Sequence, residues 1–283
     1  MKKQFLLIFS GIFLIILLFV FGKTTSNKKN IAVSAKETTP KKTFDIKEFI
    51  SSEKTKLSPN QAITLSKLEN NITRGDIVSQ QIKANEALAA FWKDSAKSFE
   101  PYAFYTSSAS KLDNSEKNLT FAARIFLENL RGEKDEAKLN WETNEAIDLF
   151  ERALKLNPDN DTLKIGLGSC YIYGKGRSGN PQETMQGIQQ LLSVVRKDSN
   201  NMEAQMMLGV GGLVSGQFEK SIERLNKVVA AQPQNGEAVA YLADAYAGKG
   251  DKPNALKWYN ISKRLINNPH YTEEVDARIK TLK

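Results

Sequence analysis

The sequence predicts an all-α protein: a stack of helical hairpins carried behind an N-terminal membrane helix and a disordered linker. Three observations predict it. Residues 202–235 and 236–269 repeat one another with a period of 34. Each period pairs small residues with large ones, as Leu208-Gly209, Ser221 and Leu225 and then Leu242-Ala243, Ala255 and Tyr259. A run of 17 residues, 5–21, is apolar apart from Ser10 and Gly11. A fixed period of this length marks hairpins that bury their apolar faces only by stacking on a neighbour. The apolar run is long enough to span a bilayer as a helix.

Taken in order, residues 1–22 form the anchor. After Met1-Lys2-Lys3-Gln4, fifteen residues of 5–21 are Leu, Ile, Phe or Val, and inserting them gains about 5–9 kcal/mol. A cleaved signal peptide shares the short basic start, but its apolar core is about 7–15 residues. Val20-Phe21-Gly22 is only a weak cleavage site, and Val33-Ser34-Ala35 lies far downstream. The expected placement is a single pass through the cytoplasmic membrane with the remainder on the periplasmic side; a secreted or periplasmic protein after cleavage is the alternative. Residues 23–43 are rich in Lys, Thr, Ser and Asn and read as a disordered basic linker. Residues 1–43 carry eight lysines and one acid, a net of +7 against +8 for the whole chain. The folded part is therefore near neutral, which argues against a nucleic-acid partner.

Helical patterning resumes near Phe44. Residues 44–114 read as degenerate helical repeats: one helix opens at Ser58-Pro59 with Ile63, Leu65, Leu68 and Ile72, and Arg74-Gly75-Asp76 interrupts the pattern. A second runs to about Ser95 through Trp92, and a third opens at Glu100-Pro101. The aromatic cluster Phe91, Trp92, Phe99, Tyr102, Phe104 and Tyr105 has no alternating basic residues, so it reads as core and not as a base-stacking face. Four repeats then follow at 115–160, 161–201, 202–235 and 236–269. The first has a polar, acidic insertion at 131–141, and the second has seven extra residues in its turn. Residues 270–283 read as a capping helix.

The run of spacings over 115–269 resembles the tetratricopeptide repeat family, in its membrane-anchored bacterial form. The resemblance implies a right-handed superhelical α-solenoid. The small residues would lie where the two helices of a hairpin cross: Ala123, Gly168, Gly209 and Ala243 on first helices, Ala146, Gly187, Ser221 and Ala255 on second helices. It also implies a concave face built by the first helices, with repeat positions two, five, nine, twelve and thirteen pointing into it. Those are Thr162, Ile165, Ser169, Ile172 and Tyr173, then Glu203, Met206, Val210, Leu213 and Val214, then Glu237, Ala240, Asp244, Ala247 and Gly248. The Lys, Asn and Arg residues with which some family members clamp a terminal carboxylate are absent from these places. A stripe of Ile, Met, Val and Leu suits a hydrophobic helix or extended peptide, unless another part of the chain covers it.

No catalytic constellation emerges. The lone histidine, His270, and lone cysteine, Cys170, fall in different repeats and form neither a triad nor a metal site. Cys170 reads as a small residue packed inside a helix pair. The segment 174–179 lacks the Lys-Ser/Thr and the preceding strand of a phosphate-binding loop and reads as a flexible turn. No cofactor is expected. The expected function is a membrane-tethered scaffold or adaptor for a protein or peptide partner. The alternatives are an assembly factor resembling the anchored repeat subunits of c-type cytochrome maturation, or a self-associating envelope protein, and a homo-oligomer is compatible with either.

Overall fold

The computed structural model describes residues 43–73, 77–178 and 181–282, and every regular element among them is helical. The apolar run 5–21 and the linker up to residue 42 lie outside the described residues. No described helix is long and apolar enough to cross a membrane.

The helices are α1 (Ile46–Lys54), α2 (Pro59–Thr73), α3 (Val78–Ala90), α4 (Phe99–Asp113), α5 (Glu116–Leu130), α6 (Glu136–Leu156), α7 (Asp161–Cys170), α8 (Pro181–Lys197), α9 (Met202–Val214), α10 (Phe218–Ala231), α11 (Gly236–Lys249), α12 (Lys252–Ile266) and α13 (Pro269–Leu282). Consecutive helices pack against one another from α2 to α13. The pairs α5–α6, α7–α8, α9–α10 and α11–α12 are hairpins, and α13 lies on α12. The first helices of successive hairpins also touch, α5 on α7, α7 on α9 and α9 on α11, so they form one continuous face.

The period has a local cause at every turn. Asn160, Asn201 and Asn235 cap α7, α9 and α11; each side chain accepts from backbone N–H groups of the first turn, Ala204 N and Ala238 N at 3.0 Å in the last two. Such a cap satisfies a donor that the helix itself cannot. Within each of the last two hairpins the first helix ends on a glycine in the left-handed region, Gly216 at φ 71° and Gly250 at φ 83°. These sit 34 residues apart, and each lets the chain reverse where a Cβ would be strained.

The small residues at the crossings are held by contact. A Cβ on Gly187 would lie 2.7 Å from the Gly168 carbonyl oxygen, and one on Gly209 2.6 Å from Leu225 Cγ. Ala123, Ala146, Ala243 and Ala255 are fully buried. Ser221 is buried as well, and its hydroxyl donates to the Gly209 carbonyl at 2.7 Å, tying α10 to α9. Replacing Ser221 with alanine keeps the crossing close but removes that bond, and is expected to cost about 1 kcal/mol in urea unfolding. A neutral result would show that size alone governs this position.

Two expectations need correction. The insertion 131–141 is mostly helix: α6 starts at Glu136 under an Asp135 cap, which accepts from Ala137 N at 2.8 Å and Lys138 N at 3.0 Å. Only residues 131–135 link it to α5. The extension lets Trp141 reach Phe126 and Phe44, at ring separations of 5.4 and 5.1 Å. The turn after α7 is also structured as far as it is described. A π turn, Tyr171–Lys175, prolongs the helix and a 3-10 turn, Gly176–Ser178, follows. The Arg177 guanidinium then donates to the Leu130 and Glu133 carbonyls, each at 2.9 Å, capping the end of α5 from the next hairpin.

The core is continuous from α4 to α9 and includes Leu119, Phe126, Phe150, Leu163, Ile172, Leu191 and Met207. Cys170 is fully enclosed in it, and burial pushes its thiol well above the ordinary range. A carboxyl group lies inside too. Glu142 on α6 is fully buried, and its carboxylate accepts from Asn129 Nδ2 on α5, at 2.9 and 3.0 Å. Burial chiefly, with the nearby Glu133 and Glu100 carboxylates adding to it, pushes its pKa up to about 7; the Asn129 bond and Lys138 oppose this.

Candidate binding groove

The face built by α5, α7, α9 and α11 is where a stacked-hairpin protein offers the surface of its first helices. Each helix is aimed there by its asparagine or serine cap and by the close crossing behind it. The twelve sequence-predicted groove residues divide into three groups on it. Ile165, Ser169, Ile172, Tyr173 and Val210 are buried. Met206, Leu213, Glu237, Ala240 and Asp244 are half-buried, and only Glu203 and Val214 are exposed.

The buried five do not line an open trough, and their local causes are visible. Ser169 folds its hydroxyl back onto the Ile165 carbonyl at 2.8 Å. Ile172 and Tyr173 lie on the π turn, whose extra residue rotates the end of the first helix relative to regular spacing. Ile172 turns toward α9, where a Cβ on Gly211 would lie 3.1 Å from Ile172 Cδ1. Tyr173 instead points across the face. Its hydroxyl lies 3.1 Å from that of Tyr241 on α11, and the Arg131 guanidinium stacks over its ring at 4.8 Å. Arg131 Nη1 also donates to Glu237 Oε1 at 2.6 Å. Burial first, and then the neighbouring Tyr173 and Glu237, push the Tyr241 phenol far above its ordinary value. Burial likewise raises Tyr173. Both hydroxyls therefore stay protonated, so one donates to the other.

The rest of the predicted set is engaged in other ways. Met206 and Leu213 pack on the Leu225, Leu242 and Ala245 cluster. Asp244 accepts from the Tyr259 hydroxyl at 2.6 Å and from Arg278 Nη1 on α13 at 2.8 Å, so the last helix closes over that position. Val214, 40% exposed, borders a cavity of about 340 Å³ with Met185, Ile188 and Pro181 on α8.

Sequence reasoning missed the residues that shape this face. Arg131 read as the start of an insertion, and Tyr241 was given no role. A second concavity, about 320 Å³, lies between α3, α4 and α5. It is bordered by Ala89, Lys93, Tyr102, Thr106 and Asn118, with Phe121 55% exposed at its rim. The only sequence signal for it was a phenylalanine next to the buried Ala122-Ala123 pair.

These helices match known proteins in part. The tetratricopeptide repeat family model matches residues 213–268. Cellulose synthase operon protein C of Escherichia coli K12, and its putative counterpart in E. coli O157:H7, are each 39% identical over 62 residues. That match spans 22% of this chain and only 5% of the length of those relatives. Among solved structures, residues 41 to the end of MamA from Desulfovibrio magneticus RS-1 align at 18% identity over 68% of this chain and 97% of that one, with a TM-score of 0.47. The type IV pilus biogenesis factor PilW aligns at 19% over 71% and 92%, with a score of 0.46. YrrB, described as a TPR protein with an unusual peptide-binding site, aligns at 16% over 74% and 97%, with a score of 0.45. The stretch from the end of α9 through α12 is the part that matches the tetratricopeptide repeat family model.

Proposed function

We propose that this chain is a membrane-tethered scaffold that holds a protein partner on the α9–α11 side of its repeats, with residues 5–21 as the tether and no chemistry of its own. The observation that carries the reading is the tetratricopeptide repeat match over 213–268. Stacking buries the apolar face of each hairpin and leaves one long surface, and such surfaces serve to bind. Support for the tether comes from the apolar run behind Lys2 and Lys3, which favours keeping the short basic end on the cytoplasmic side and the repeats on the other. The half-buried apolar residues Met206, Leu213 and Ala240, with Val214 exposed beside them, favour an apolar helix or extended peptide as the ligand, and Glu203 sets an acidic rim.

Photo-crosslinking groups placed at Met206 and Val214 in membranes test this against the same group at Glu223, exposed on the second helix α10. A discrete adduct from the first two positions and none from Glu223 is expected. Equal labelling from both faces would sink the proposal.

A further inference from the structure

In a stack of hairpins each unit touches its neighbours, and nothing in the stacking requires the first repeat to reach the fourth. Here it does. Arg131, 106 residues before Glu237, leaves the end of α5 and meets it at 2.6 Å on α11. Between them, Tyr173 from the second repeat supports the guanidinium at 4.8 Å and reaches the Tyr241 hydroxyl at 3.1 Å. Arg131 is itself steadied from below, because Arg177 holds the carbonyls of Leu130 and Glu133 on either side of it.

We propose that these four side chains form a latch, a releasable contact that holds the fourth repeat against the first and shuts the face between them. Two features distinguish it from ordinary core. The ion pair is half in water, with 44% of the Arg131 side chain and 40% of the Glu237 side chain exposed, so solvent takes over both groups as they part and the pair is screened by salt. And the surface beside it is apolar: Tyr241 packs on the same buried cluster as Ile165 and Val210, which lie on α7 and α9, helices that keep their hairpin partners if α11 and α12 swing away. Release therefore uncovers an apolar strip without unfolding a helix. The inference stands on this geometry and holds whatever partner the face takes.

The test uses the full-length chain with spin labels on Lys134→Cys and Gln234→Cys, exposed positions on either side of the latch, in a Cys170→Ala background. The parent is expected to give one short inter-label distance that lengthens in part as salt is raised. Glu237→Lys adds a longer population, and the reversed pair Arg131→Glu with Glu237→Arg restores the short one. Tyr241→Phe, which removes only the hydroxyl contact at 3.1 Å, should also add a longer population, smaller than that of Glu237→Lys. An unchanged distance in Glu237→Lys, or no recovery in the reversed pair, overturns the latch. So does loss of helix content in both Glu237→Lys and Tyr241→Phe, because the contact would then be structural support.

Discussion

Replacing Glu142 with glutamine raises stability by about 3 kcal/mol at high pH and leaves it unchanged at low pH. The carboxyl is fully buried between α5 and α6, where its pKa rises from 4.5 to about 7. The folded state therefore holds a proton that the unfolded chain releases. Below 4.5 both states are protonated and the group is neutral in its effect. From 4.5 to about 7 the unfolded state sheds the proton first, so stability falls with rising pH, and above that window the ionised group carries its whole cost. Glutamine still accepts from Asn129, whose Nδ2 lies 2.9 Å from Glu142 Oε1, and it cannot ionise. Urea midpoints measured across the window should fall for the parent and stay level for the variant. Parallel profiles would show that water or a cation reaches the carboxylate. Burial sets most of the effect and the charged neighbours adjust it: Glu133 and Glu100 oppose ionisation, and Lys138 favours it. Lys138 is itself committed to Glu100 in an ion pair.

That carboxylate illustrates what the sequence conceals. Glu142 falls just beyond the stretch 131–141, which by composition reads as a polar, acidic insertion, yet the added turns of α6 carry it inside. The hairpin crossings were legible because their cause is local. A helix pair that approaches closely needs a small residue on each side, and Gly168, Gly187, Gly209 and Ser221 stand at fixed spacings whatever the rest of the chain does. Caps and reversals are legible for the same reason, in Asn201 and Asn235 and in Gly216 and Gly250.

The groove residues were harder to read. The family resemblance implies an inner-face place for Ile172 and Tyr173, but the π turn Tyr171–Lys175 inserts a residue into the helical count and re-aims both. No short-range signal announces that turn. The contact between Arg131 and Glu237 depends on how three successive hairpins tilt, a sum of small rotations that no single repeat encodes. Sequence spacing therefore finds the seams between neighbours and misses what distant units do to one another.

The second large effect belongs to the seam between the first two repeats. Phe150 on α6 is buried almost completely and points at Gly166 on α7, where an added Cβ would overlap its ring. Phe150→Ala should cost about 3–5 kcal/mol, from lost burial and from a cavity that two helices anchored elsewhere cannot close. Gly166→Ala should cost about 1–3 kcal/mol through the clash, less about 1 kcal/mol for the better helix former. The two positions share one volume, so the pair is informative. Phe150→Leu shortens the side chain where the new methyl needs room, and Phe150→Leu with Gly166→Ala should cost less than the two single changes together. Denaturant unfolding of the four proteins gives the coupling directly. Simple additivity would mean that α6 and α7 slide to accommodate either change, and that this seam is softer than the close approach of ring and glycine implies.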